Sequence, residues 1–144
     1  MAGLMAGKRG LIMGLANDKS IAWGIAKACA DQGAELAFSY QGEALKKRVD
    51  PLAAQTGSDI VLPCDVGDGA SIDAMFAALG ERWDKLDFLV HAIGFSDKNE
   101  LRGRYLETSL DNFLMTMNIS VYSFTAVVQR AEKMMTEGGS ALTL

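Results

Sequence analysis

The chain has 144 residues, 49% of them apolar and 22% charged, and a formal net charge of -4. That is the length of one domain, with enough apolar matter for a buried core. So modest and mixed a charge excludes the basic stripe of a nucleic-acid binder and the acidic run of a disordered tail. From the start of the chain, Met1-Ala-Gly-Leu-Met-Ala-Gly-Lys-Arg9 places its basic pair after a short small-residue stretch, the reverse of a secretory signal. No stretch approaches the roughly 18 apolar residues of a membrane span. Neither a nucleic-acid nor a membrane partner is therefore expected.

Gly10-Leu-Ile-Met13 reads as the first strand. Ser20 to Gln32 reads as the first helix, with Ile21, Trp23, Ile25, Ala28 and Cys29 apolar and Gly33 as its stop. Glu35 to Tyr40 is the second strand. Glu43 to Thr56 is helical, but Pro51 is expected to kink it or to begin a second short helix, because proline lacks an N–H and clashes with the preceding turn. Ile60-Val-Leu62 is the third strand and leads into Pro63-Cys64-Asp65. Asp68 to Trp83 is a helix with Ile72, Met75, Phe76 and Leu79 at helical spacing. Leu86 to Ala92 is the fourth strand, and a polar loop spans Ser96 to Glu107. One long helix is expected from about Ser109 to Thr136, closed by Gly138-Gly139, and Ser140 to Leu144 begin a fifth strand.

Strands that alternate with helices and are apolar throughout predict an α/β fold: a doubly wound, Rossmann-like parallel sheet covered on both faces. Right-handed crossovers give the expected strand order 3-2-1-4-5, truncated after the fifth strand and so without the sixth of the common dinucleotide fold. Cys29 and Cys64 share no metal-ligand or redox spacing and read as buried, reduced thiols. No metal site is expected, and a reducing cytoplasm is the expected location.

Ligands of such sheets bind beyond the carboxyl ends of the strands, where the strand order reverses. The loops there are Gly14-Leu-Ala-Asn-Asp-Lys-Ser20 and His91-Ala-Ile-Gly94. The first has no G-x-G-x-x-G. Gly14 would let a phosphate approach the backbone. Ser20, at the N-cap, and the free N–H of Ile21 could receive a pyrophosphate, or Ser20 could be only a cap. Gly24 would allow close packing of helix on sheet. After the second strand stand Tyr40-Gln41, neither the acid that favours NAD nor the base that favours NADP. Gln41 can bond a ribose hydroxyl, while Lys46 and Lys47 read as solvated lysines on the outer helix face. Asp65-Val66 stand where an adenine ring would lie, or Asp65 is a turn residue capping Gly67. His91, the single histidine, reads as structural.

Several strings together resemble the bacterial enoyl-acyl-carrier-protein reductases, a divergent branch of the short-chain dehydrogenases. They are Gly14-x5-Ser20-Ile-Ala-x-Gly24, Gly33-Ala-Glu-Leu-Ala-Phe38 with Tyr40-Gln41, Cys64-Asp65-Val66, His91-Ala-Ile-Gly-Phe95 and Ile119-Ser-Val-Tyr-Ser-Phe124. Ordinary short-chain dehydrogenases carry Asn-Asn-Ala-Gly in place of the fourth string. The resemblance implies a nicotinamide cofactor, NADH, and a trans-2-enoyl thioester on acyl carrier protein, reduced in type II fatty-acid synthesis. By the same resemblance Gly14, Ser20 and Ile21 would hold the pyrophosphate and ribose, Gln41 the adenosine ribose, and Asp65 and Val66 the adenine. Ile93 and Gly94 would line the nicotinamide side, Ser96 would touch the acyl substrate, and the full-length enzyme would be a homotetramer.

The family's Tyr-x6-Lys pair lies on the helix after the fifth strand. Tyr40 and Tyr105 precede the long helix, and Tyr122 is followed seven residues on by Gln129, so no catalytic residue is expected within the chain. Asn118 stands where related dehydrogenases place a proton-relay asparagine, and reads equally as a polar residue inside a helix. Residues 1–144 are thus expected to be a single dinucleotide-binding domain, an inactive fragment lacking the catalytic helix, sixth strand and substrate lid. Two other functions remain open at this point: a non-catalytic nucleotide-binding module, and a short-chain reductase acting on a ketone, against which the His91-Ala-Ile-Gly94 string argues.

Overall fold

A computed structural model describes residues 2–144. Five parallel strands form one sheet: β1 (Arg9–Met13), β2 (Glu35–Tyr40), β3 (Val61–Pro63), β4 (Phe88–His91) and β5 (Ser140–Thr143), in the order β3-β2-β1-β4-β5. The helices are α1 (Ile21–Asp31), α2 (Glu43–Gln55), α3 (Gly69–Arg82), α4 (Leu110–Met117) and α5 (Ser123–Ala131). The predicted order and the predicted parallel sense are both present.

Strand side chains alternate between faces, and this divides the core in two. Leu11, Met13, Ala37 and Leu89 pack with Ile72, Met75 and Leu79 of α3 and with Val127 and Ala131 of α5. Ile12, Leu36, Phe38, Phe88 and Val90 pack with Ala22 and Ala26 of α1 and with Val49, Leu52 and Ala53 of α2. Neither face of β1 or β4 is left to water, which is why these strands read as unbroken apolar runs. Register is tight at the centre, where Met13 pairs with His91, the last residue of β4.

The helices differ from expectation in three places. Pro51 lies inside α2, which continues unbroken to Gln55. Pro51 is exposed, as is Lys47, whose carbonyl loses its helical partner; water can replace that bond, while buried Val49, Leu52 and Ala53 hold the helix to the sheet.

The long helix is not one regular element. Ser109 caps α4, accepting from the Asn112 N–H at 3.1 Å. A wide π-type turn then occupies Asn118–Tyr122, where the Ser123 N–H reaches back five residues to the Asn118 carbonyl. Helical structure ends near Met134 in a tight 3₁₀ turn. The Met134 carbonyl accepts instead from the Leu86 N–H at 2.9 Å, which ties the helix end to the segment entering β4.

The third difference is Gly24. An added Cβ there would meet no atom within 4 Å, so Gly24 faces open space and does not serve helix–sheet contact. Ala22 and Ala26 make that contact.

Candidate functional site

The chain turns back at β1 and β4. From β1 it runs outward to β2 and β3, and from β4 it runs the other way to β5. The loops leaving β1 and β4 therefore diverge, opening a cleft of about 230 Å³ at the carboxyl edge of the sheet. Of the residues singled out in the sequence, Gly14, Gln41, Val66, Ile93 and Gly94 line this cleft. Ser20, Ile21, Asp65 and Ser96 are not in its wall. No charged side chain is in that wall among the described residues, so the cleft suits ring and ribose surfaces more than ions.

Gly14 has φ of 99°, a region closed to residues with a Cβ. An added Cβ would fall on the Ala92 carbonyl. Gly14 thus lets the first loop cross the end of β4 at backbone distance. The rest of the loop is organised by Ser20. Its hydroxyl accepts from the Ala16 and Asn17 N–H groups, both at 3.1 Å, and makes no cap to its own helix. This corrects the reading of Ser20 as a side-chain cap. The Ser20 carbonyl takes the Trp23 N–H at 3.0 Å, and the N–H groups of Ile21 and Ala22 have no acceptor among the described residues. The first turn of α1 therefore keeps free donors beside the cleft.

At the other end, Gln41 is exposed and follows Tyr40, which is 7% exposed. Lys46 is not a free solvated lysine. Its ammonium lies 6.0 Å from the centre of the Tyr40 ring and donates to Asp50 Oδ2 at 2.6 Å, whereas Lys47 is exposed. Val66 is buried against the cleft. Asp65 is a turn residue in this structure: Oδ1 accepts from the Gly67 N–H at 2.8 Å, and its own N–H donates to Ser71 Oγ at 2.8 Å. Its second carboxylate oxygen has no such bond.

The nicotinamide-side candidates come from the loop after β4. Ile93 packs on the core, and Gly94, unlike Gly14, has no positive φ. A Cβ on Gly94 would meet Ser120 Oγ at 3.8 Å, an ordinary contact. Ser120 accepts from the Phe95 N–H at 3.0 Å and donates to the Phe95 carbonyl at 3.2 Å, pinning this loop. Ser96 turns away into a separate depression beside α4. There its hydroxyl lies 2.9 Å from Thr116 Oγ1 and 3.3 Å from Asn112 Nδ2. Asn118 begins the π turn and is exposed.

His91 is fully buried. Burial pushes its pKa down, keeping the ring neutral. Ser123 Oγ donates to the Ile119 carbonyl at 2.6 Å, so it can only accept from His91 Nε2, 2.7 Å away. The bare Nδ1 then accepts from Thr143 Oγ1 at 3.0 Å. His91 joins β4, β5 and α5, the structural role read from the sequence. Cys64 is buried and in the cleft wall, and burial pushes its thiol up to about 11, which leaves it unreactive near neutrality. Cys29 is half-buried rather than buried.

Leu15, Ala16, Ser39, Leu45 and Ile119 are also in the wall, and the sequence assigned none of them a role of its own. Ser39 carried a signal, as a polar residue inside an apolar strand. Ile119 and Ser120 lay within the family-like string Ile119–Phe124 but were given no place in the site, because the π turn that brings Ile119 to the cleft leaves no mark in periodicity. The spacing Tyr-x6-Lys does occur once, at Tyr40 and Lys47. That tyrosine ends a strand and that lysine is on α2, so the two do not stand on successive turns of one helix.

Sheet order, crossovers and cleft are those of a Rossmann-like domain. Residues 14–144 match the family model described as enoyl-(acyl carrier protein) reductase. The chain is 67% identical over 144 residues to an enoyl-[acyl-carrier-protein] reductase [NADH] of Rhizobium meliloti, covering 100% of this chain and 54% of that protein. It superimposes on the crystal structure of FabI from Candidatus Liberibacter asiaticus with a TM-score of 0.97 and 57% identity, covering 99% of this chain and 55% of that one. The enoyl-acyl-carrier-protein reductase of Anaplasma phagocytophilum, solved in complex with NAD, gives a TM-score of 0.95 and 59% identity, with coverage of 99% and 55%. The chain belongs to the enoyl-acyl-carrier-protein reductase family, and it spans about half the length of the curated relatives it matches. No helix among the described residues is long and apolar enough to cross a membrane.

Proposed function

We propose that residues 1–144 form one dinucleotide-binding domain that holds NADH for the reduction of a trans-2-enoyl thioester on acyl carrier protein. The observation that carries this reading is the pairing of two features at one cleft. N–H donors without an acceptor among the described residues begin α1 beside the cleft, and the cleft wall, which holds Gly14 and exposed Gly94, is uncharged. The donors suit a pyrophosphate, and the wall suits a ring.

In this reading the Gly14 loop and the Ile21 N–H hold the pyrophosphate, and Ser20 keeps that loop folded around it. Gln41 bonds the adenosine ribose. Val66 meets the adenine face, and the free oxygen of Asp65 accepts from its amino group. Ile93 and Gly94 form the floor of the nicotinamide pocket, held level by Ser120. Ser96, with its hydroxyl engaged by Thr116 and Asn112, offers backbone to the acyl chain. The bound cofactor supplies a hydride for the β-carbon of the enoyl thioester. In the family, a tyrosine and a lysine on the helix after the fifth strand steady the thioester oxygen and the ribose. A homotetramer in a reducing cytoplasm completes the proposal. Leu110, Phe113, Leu114 and Met117 leave an exposed apolar face on α4 that suits a second subunit.

The test is the full-length gene product with NADH, a trans-2-enoyl thioester and a 3-ketoacyl thioester. Oxidation of NADH with the enoyl substrate alone supports the proposal. Oxidation with the ketone alone would make the protein a keto reductase, and nucleotide binding with neither turnover would make it a binding module. Purified residues 1–144 are expected to show no steady NADH oxidation with a crotonyl thioester, since neither Tyr105 nor Tyr122 has a lysine seven residues on, and Tyr40 and Lys47 stand on different elements. Sustained turnover by that fragment would refute the assignment of the chemistry to later residues.

The full-length product is also expected to have a higher kcat/KM with NADH than with NADPH. Gln41 offers hydrogen bonds to a ribose diol, and no arginine directly follows β2 to take a 2′-phosphate. A reversed preference would mean that one of the bases Lys46, Lys47 and Arg48 of α2 reaches the phosphate.

A further inference from the structure

Near the adenosine end of the cleft the structure holds a charge arrangement that the functional reading does not use. α2 carries three consecutive bases, Lys46, Lys47 and Arg48. Lys47 and Arg48 are exposed, while Lys46 is half-buried, on the flank of the helix next to Leu45, which lines the cleft. Its ammonium is held twice: at 2.6 Å from Asp50 Oδ2, one turn further along, and at 6.0 Å over the ring of Tyr40, another cleft residue.

Resting on the proposed NADH site, we infer that Asp50 is a specificity residue for the nucleotide: it holds Lys46 back from the ribose and so keeps the site from accepting a 2′-phosphate. Asp50 is not in the cleft wall and acts through the lysine. With the pair intact, the flank presents one cation cancelled by one carboxylate, and Glu43 adds a second negative charge near Lys46. A dianionic 2′-phosphate at Lys46 therefore meets a cation already matched by a carboxylate. The hydrogen bond to Asp50 is the main reason the lysine's pKa is raised, so the cation persists at any working pH, but it is already engaged. Without the carboxylate, the same ammonium has a flexible four-carbon stem and no competing partner. The usual devices for choosing NAD over NADP are an acid that bonds the ribose and a base that takes the phosphate. Here an acid would work by occupying the base.

The experiment is calorimetric titration of the full-length gene product and three variants, Asp50→Asn, Lys46→Gln and the double variant, with NADH and NADPH. Melting temperatures are recorded to confirm folding, and Asp50→Ser serves as a second replacement. An ion pair this open to solvent is weak, so its release is expected to shift a Kd by about fivefold at most. Asp50→Asn is therefore expected to tighten NADPH about fivefold and to leave NADH within twofold. Lys46→Gln alone should change neither, and in the double variant the gain for NADPH should vanish. A gain that survives in the double variant would show that the lysine is not the agent and would overturn the inference. So would parallel shifts for both nucleotides, which would make Asp50 a merely structural residue, and so would no change in NADPH affinity. Failure of the unaltered protein to bind either nucleotide would instead refute the reading of the cleft, and the inference with it.

Discussion

Replacing Gly14 by alanine is expected to lower the melting temperature of the full-length protein by roughly 5–20 °C and to abolish nucleotide binding. Two costs combine. A residue with a Cβ at φ of 99° is strained, at about 1–3 kcal/mol. The Cβ would also fall on the Ala92 carbonyl, and backbone cannot swing aside as a side chain tip can, so overpacking adds about 1–3 kcal/mol. A domain of this size loses on the order of 2–4 °C per kcal/mol. Relief would come only by parting the ends of β1 and β4, the two strands that form the cleft. A thermal melt and a titration with NADH check both halves. A melting temperature within 2 °C of the unaltered protein would show that the loop can move without cost.

Gly94→Val is expected to do the opposite, sparing the fold and damaging the site. Gly94 has no positive φ, and its added Cβ would meet only Ser120 Oγ at 3.8 Å. The new side chain would stand in the open part of the cleft, within a few ångströms of the proposed nicotinamide. Overpacking a filled site costs about 1–3 kcal/mol, or roughly fivefold to somewhat over a hundredfold in affinity. The melting temperature should hardly change, NADH should bind mildly less well, and any compound stacked on the nicotinamide should lose most of its affinity. If Gly94 were needed only for its turn, the variant would instead melt much earlier and lose every ligand in parallel.

These two glycines also mark how far the sequence could be read. The sheet was legible because period-2 alternation inside strands buried on both faces leaves unbroken apolar runs at Leu11–Met13 and Phe88–Val90, and crossover handedness then dictates the order. That Gly14 and Gly94 lie at the switch point followed from that order. Their difference did not follow, since it depends on which backbone passes within reach of each Cα, and on that basis Gly24 was misread as a packing glycine. Ser20 was placed correctly at the start of α1, but the direction of its hydroxyl depended on how the loop folds back over Ala16 and Asn17. The break within the long helix was invisible for a related reason. Residues 109–136 have helical periodicity throughout, and only the competition for the His91, Phe95 and Leu86 backbone and side chains decides where the helix widens and where it stops. Pro51 erred in the other direction: a local rule predicted a kink that a buried stripe and a hydrated carbonyl override.

The wide turn at Asn118–Tyr122 changes what the segment can tolerate. In a uniform helix each residue advances the face by roughly 100°, so a single stripe would have to serve every neighbour from α4 to α5. The turn resets that phase. Upstream of it, α4 answers to the loop after β4; downstream, Ser123 and Val127 answer to the underside of the sheet. The two halves are geared together by the number of residues between them. Exchange one side chain in the turn for another and the gearing survives. Remove a single residue, and one half must rotate by about a quarter turn, taking Ser120 off Phe95 or Ser123 off His91. This stretch is therefore a spacer whose length matters more than its composition.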